Sequence, residues 1–104
     1  MMTLEEICAQ YLRGEKENSL HTVERMAERM ITPEEMIEAM RTAECIEVYP
    51  DDKYGASMLI LGFTSQQRPL HIHVSAFVRE RIKVITVYEP NSHVWNNFRI
   101  RKDR

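Results

Sequence analysis

The spacing of apolar residues changes period near residue 44, and that change orders the fold: helices first, strands afterwards. Before it, apolar side chains recur every three or four positions. Leu4, Ile7, Cys8, Tyr11 and Leu12 form one helical face between Thr3, an N-cap with Glu6 three places on, and Gly14. A first helix over 4–13 is predicted. Residues 14–19 carry no apolar side chain and read as a loop, with Asn18 or Ser19 capping a second helix over 20–30. That helix puts Val23, Met26, Ala27 and Met30 on one face. Thr32, Pro33 and Glu35 open a third helix, which presents Met36, Ile37, Ala39 and Met40 and fades near Ala43.

Beyond residue 44 the repeat is two. Residues 46–49 make a short strand stopped by Pro50-Asp51-Asp52-Lys53, and the nearly continuous apolar run 57–63 reads as a central strand. In 69–76, Leu70, Ile72, Val74 and Ala76 share one face while His71, His73 and Ser75 share the other. A fourth strand spans 83–89. Pro90-Asn91-Ser92 then turns the chain into a short helical turn over 93–98 and a basic tail. Helices followed by hairpin-linked strands predict an α+β domain, its N-terminal helices packed on one face of a roughly four-stranded antiparallel sheet. With 104 residues, a single domain over 1–104 is expected.

No uncharged stretch approaches the ~20 apolar residues of a membrane span. The start of the chain has neither the basic segment nor the apolar run of a secretory signal. Cys8 and Cys45 supply no disulfide framework, so a reducing cytoplasm is the expected compartment. The formal charge of −2 conceals an asymmetry. Residues 1–40 hold nine acids against four Lys/Arg, whereas residues 65–104 hold three against eight, a local charge of +5. That half suits an anionic ligand such as RNA; solvation of the acidic helices explains the other half equally well.

Three groups of residues carry possible chemistry. His21, Arg25 and Arg29 recur at i, i+4 and i+8 on the polar face of the second helix, where they suit a phosphate, although Glu24 and Glu28 offer ordinary ion pairs. His71 and His73 lie ~7 Å apart on one strand face, as an acid/base pair, as two metal ligands, or simply as half-exposed sheet residues. No spacing selects further ligands among His21, His93, Cys45 and the carboxylates, so neither metal nor cofactor is expected. Tyr88, Trp95 and the tail residues Arg99, Arg101, Lys102 and Arg104 could stack bases and neutralise phosphates. Trp95 serves as well as a core anchor.

The ordered blocks His21-x-x-x-Arg25-Met26-x-x-Arg29-x-Ile31-x-Pro33-Glu34-Glu35, Ile46-Glu47-x-Tyr49-Pro50-Asp51-Asp52, Leu59-x-Leu61-Gly62, Arg68-Pro69-Leu70-His71 and Val87-Tyr88-Glu89-Pro90 resemble the bacterial domain of unknown function 4258. The likeness runs over 19–101 and leaves the first helix as an addition. Met30 stands where that family often has Gly, and His73 where it usually has a β-branched residue. The family is in turn similar to the RelE-like toxins, small α+β ribonucleases of toxin–antitoxin pairs, whose partner here would be a small zinc-finger antitoxin of the YgiT type. The resemblance implies a metal-independent RNA endonuclease. His71 and His21 would do acid/base work, Arg25, Arg29 and Arg68 would hold the scissile phosphate, Tyr88 would position phosphate or base, and Arg99 and Arg101 would add RNA contacts. His21, Arg25 and His71 are expected in one cleft. The competing expectation is a non-catalytic module whose basic face binds a protein or nucleic acid. The first helix, too apolar for solvent, should pack on the other helices or on another subunit, and a homodimer is one way to cover it.

Overall fold

The helices begin on the caps that the sequence offers. In the computed structural model, which describes residues 1–103, the Thr3 hydroxyl accepts from the Glu6 amide at 3.2 Å while the Glu6 carboxylate accepts from the Thr3 amide at 2.9 Å, and α1 (Leu4–Leu12) follows. Ser19 caps α2 (Leu20–Glu28), and a second capping box, Thr32 with Glu35, opens α3 (Pro33–Arg41) behind Pro33. The end of α2 is less comfortable. Met30 closes it in the left-handed region at φ 54°, so that the Ile31 amide reaches the Met26 carbonyl at 2.9 Å. A side chain in that conformation costs about 1–2 kcal/mol, which is why glycine favours the position.

The described residues also form seven strands: β1 (Lys16–Asn18), β2 (Glu44–Tyr49), β3 (Ser57–Phe63), β4 (Pro69–Ser75), β5 (Ile82–Tyr88), β6 (Trp95–Asn96) and β7 (Ile100–Arg101). The α+β class is as the sequence predicts. The sheet, however, is mixed and has five strands in the order β1-β5-β4-β3-β2, with β1 parallel to β5 and the other neighbours antiparallel. The segment read as a loop thus supplies an edge strand. It contributes main-chain hydrogen bonds rather than apolar area, and hydrophobic periodicity registers only the latter. The expected helical turn over 93–98 is confined to its start, where the Val94 and Trp95 amides both reach the Asn91 carbonyl at 3.0 Å; β6 and β7 then pair as a small hairpin.

Alternation along the strands separates two faces. Met58 and Ile60 of β3, Leu70, Ile72 and Val74 of β4, and Val84 and Val87 of β5 pack with Ile7, Tyr11, Met26, Met36, Ala39 and Met40 from the helices. Each such side chain, when fully buried, gains about 1.5–3 kcal/mol over its exposed state. Gly62 is where α3 presses hardest, since a Cβ there would stand 2.0 Å from the Ala39 carbonyl oxygen. The stripe on α1 is covered in part within the chain: Ile7 and Tyr11 are buried against α3 and β5, Leu4 and Cys8 are half-buried, Leu12 is exposed, and the Met2 amide donates to Ala76 at 2.7 Å. Beside β5, Thr22 of α2 donates its hydroxyl to the Val84 carbonyl at 3.1 Å and Arg29 donates to that of Val87 at 2.7 Å.

Among the described residues no helix is long and apolar enough to cross a membrane, and Cys8 and Cys45 are free thiols.

Candidate functional site on the outer face of the sheet

The face turned away from the helices presents Glu44, Glu47 and Tyr49 of β2, Ser57, Leu59 and Leu61 of β3, and His71, His73 and Ser75 of β4, in register with Thr86 and Tyr88 of β5. Its two ends differ in what covers them.

Over His71 lies the β6–β7 hairpin. The imidazole is fully buried, with Trp95 edge-on at 4.6 Å between ring centroids and Tyr88 at 5.2 Å. A carbonyl can only accept, so the 2.6 Å contact with Phe98 fixes the hydrogen on Nε2, and Nδ1 accepts from the Tyr88 hydroxyl at 3.2 Å. Both nitrogens are engaged in the neutral form. Burial pushes the His71 pKa below its ordinary value, against the opposing pull of the Phe98 hydrogen bond. Two ion pairs pin the hairpin from outside: Arg99 with Glu44 at 2.8 Å and Arg101 with Glu47 at 3.2 Å. Arg101 also stacks 4.6 Å over Trp95, and Glu47 accepts from the Tyr49 hydroxyl.

The other end is open. His73 Nε2 lies 2.8 Å from the Ser57 hydroxyl and 3.6 Å from Asp52, while Ser57 donates to Asp52 at 2.5 Å. Because the serine hydrogen is committed to the carboxylate, the imidazole must give Nε2–H to Ser57, leaving the lone pair on Nδ1. Burial lowers the His73 pKa, with Asp52 acting the other way. The Asp52 carboxyl is itself held below the usual range, chiefly by the Ser57 hydroxyl and the Lys53 amide. Serine, histidine and aspartate here form a triangle on one nitrogen. In a nucleophilic triad the carboxylate would take the opposite nitrogen, so this triangle orients His73 and does not activate Ser57. Surface hollows flank His73 on both sides, one beside Tyr49 and Pro50 and one beside Tyr54 and Phe77.

The pattern of a family described as a domain of unknown function (DUF4258) matches residues 19–89, more than half of the chain. The chain belongs to the DUF4258 family. No curated protein and no solved structure matches it. The DUF4258 match starts at Ser19, where the resemblance in sequence begins, and ends at Glu89, short of Arg101. It spans α2 through β5. The helix α1 and the hairpin that covers His71 both lie outside the DUF4258 match.

Of the residues singled out from the sequence, the chain gathers His71, Tyr88, Arg99 and Arg101 at the covered end. His21 and Arg25 stand elsewhere. Their helix turns Met26 into the core on the opposite side of the sheet from His71, so the three do not share a cleft. His21 is exposed, and Arg25 pairs with Glu28 at 3.0 Å. Arg68 is the most engaged cation of the set. It donates to the carbonyls of Met30 at 2.8 Å and Arg29 at 2.9 Å, and pairs with Glu35 at 3.2 Å and Glu89 at 3.4 Å. It thereby caps the end of α2 and ties it to α3 and to the end of β5. The triangle partners Asp52 and Ser57, and the carboxylate Glu47, were not predicted as site residues. Glu47, Tyr49 and Asp52 do lie in one sequence block of the family resemblance; nothing in the sequence marks Ser57. Among the described residues no three His, Cys, Asp or Glu side chains group as a metal ion would need.

Proposed function

We propose that this DUF4258 chain is the toxin of a bacterial type II toxin–antitoxin pair and a metal-independent RNA endonuclease. The RelE-like ribonucleases enter this reading as an analogy of fold, which bears on function only through the site. The observation that supports it is His73, a neutral imidazole fixed by Ser57 and Asp52 at the uncovered end of the sheet. As general base, Nδ1 would take the proton of a ribose 2′-hydroxyl. The 2′ oxygen attacks phosphorus, the bond to the 5′ oxygen breaks, and the imidazolium returns its proton to that leaving oxygen. Lys53, Arg79 and Lys83, which line the adjoining hollow, would hold the phosphate of the neighbouring nucleotide and so place its ribose at His73. The partner in this reading is a cognate antitoxin, such as a small YgiT-type zinc-finger protein, seated over the same end.

Incubation of the purified chain with total RNA and ribosome-bound message, EDTA present, tests the proposal. Cleavage by the wild type and its loss in His73→Gln is the expected result. Intact RNA in both preparations, with no growth arrest on expression, would falsify the endonuclease reading.

A non-catalytic binding module is the second reading. It is favoured by the internal engagement of Arg25, Arg29, Arg68, Arg99 and Arg101 and by the burial of His71. RNA retained on the protein but never cut would select it.

A further inference from the structure

The hollow on the Tyr54 side of His73 is deeper than the one on the Tyr49 side and is lined by cations and aromatic rings. It has a volume of about 270 Å³ and is walled by the β2–β3 turn, the far ends of β4 and β5, and the segment after β4. Three cations line it, Lys53, Arg79 and Lys83, against a single carboxylate, Asp52. Glu17, in register with Lys83 on the neighbouring β1, holds Arg79 at 2.7 Å and offsets its charge, while Lys53 and Lys83 remain exposed. Two of the cations lie over aromatic rings. Lys53 lies 5.3 Å from the centre of the Tyr54 ring, and Arg79 lies 5.5 Å from that of Phe77. Gly55, at φ 107°, keeps the turn against Phe77, since a Cβ there would meet that ring at 2.6 Å.

Cations beside aromatic rings suit a ligand that is part anion and part flat ring. Lysine and arginine hold phosphate oxygens through charge-assisted hydrogen bonds, and an aromatic face stacks any base for ~1–3 kcal/mol. Size narrows the ligand further. At about 270 Å³ the hollow lies just under the roughly 300 Å³ at which small-molecule sites begin, which leaves no room for a run of several nucleotides. Tyr54, 82% exposed, leaves its ring accessible beside this charge.

We propose that this hollow binds a single nucleotide bearing a phosphomonoester, its phosphate on Lys53, Arg79 and Lys83 and its base against Tyr54 and Phe77. The inference deepens the RNA reading by giving the His73 site a nucleotide subsite, and it depends on that reading only for the cleavage step. Asp52 would accept from a ribose hydroxyl or a base amino group. Such a nucleotide could be free or the phosphorylated end of an RNA.

The test is calorimetric titration of the full chain at low salt with 5′-AMP, adenosine, inorganic phosphate, and one RNA oligomer with and without a 5′-phosphate. Saturable binding of AMP, at least about tenfold tighter than adenosine or phosphate, is expected. Lys53→Gln/Lys83→Gln and Tyr54→Ala, all at exposed positions, should each weaken AMP about tenfold or more with the thermal midpoint unchanged. An oligomer that binds only when 5′-phosphorylated points to RNA ends as the source; AMP without either oligomer points to free nucleotide. AMP no tighter than phosphate, or undiminished binding in both variants, overturns the site. The two proposals fail separately: AMP binding without RNA cleavage removes the nuclease and keeps the subsite, and cleavage without AMP binding does the reverse.

Discussion

His71 donates its Nε2 hydrogen to the carbonyl oxygen of Phe98 at 2.6 Å, across 27 residues of sequence. That bond joins the central sheet to the hairpin and leaves Nδ1 to accept from Tyr88, so one neutral imidazole satisfies two partners. Phe98 itself sits at φ 63°, and its ring packs edge-on with Phe63 at 6.1 Å.

Replacing His71 with Phe puts a somewhat larger aromatic ring in the same place and removes both hydrogen bonds. Each polar group left unpaired under the hairpin costs about 1–3 kcal/mol, so His71→Phe should lose roughly 2 kcal/mol or more in urea denaturation. A change within about 0.5 kcal/mol would show that the hairpin is held by its aromatic and ion-pair contacts alone.

Acid should weaken the fold in two steps. His71 and His73 have folded pKa values below 6.5, so the unfolded chain binds their protons first. Their contribution is complete above pH 6.5 and is lost as pH falls from there through the folded values. Glu35 and Asp52 are shifted down as carboxylates, so theirs is complete above about pH 4.5 and lost below it. Thermal midpoints measured from pH 7.5 to 4 should already decline between 6.5 and 5. In His71→Phe that first decline should be shallower; an identical slope would mean that His71 is not the group responsible.

Met30→Gly should stabilise the protein. Relief of the left-handed conformation is worth about 1–2 kcal/mol and the added freedom of glycine in the unfolded chain takes back part of it, for a net gain of roughly 1 kcal/mol. With Met30 80% exposed, no packing is lost. The midpoint should rise by about 4 °C or more.

Arg68 and Arg25 separate structural cations from surface ones. Arg68→Ala strands the ends of α2 and the Glu35 carboxylate and should cost about 2–3 kcal/mol, with little recovery in Arg68→Lys, whose single ammonium cannot replace the fork. Arg25→Ala, which breaks one exposed pair, should stay within about 0.5 kcal/mol. Equal losses in the two variants would contradict the capping role of Arg68.

The core-forming parts of this fold were legible because burial writes itself into spacing. Leu70, Ile72 and Val74 announce a strand with one dry face, and Thr32, Pro33 and Glu35 announce a helix start, from local rules alone. The same alternation put His71 and His73 on one face, and both are there. It could not say that one would be roofed and the other open. Lys16–Asn18 and the hairpin were missed because their stability comes from main-chain pairing and from long-range partners, which leave no period.

What the sequence determined by itself is therefore the order of helices and strands, the caps that bound them and the division of residues between the two sheet faces. Each follows from interactions between residues a few positions apart, or from the twofold and 3.6-fold geometry of the chain. The tertiary structure alone decided the placement of charge. Arg68, Arg99 and Arg101 read as free cations for phosphate, and the fold spends them on Glu35, Glu44 and Glu47. Lys53, Arg79 and Lys83, unremarkable in the sequence, came to line one hollow beside His73. Electrostatic partners are set by distance in space, and distance in space is known only once the strands have paired.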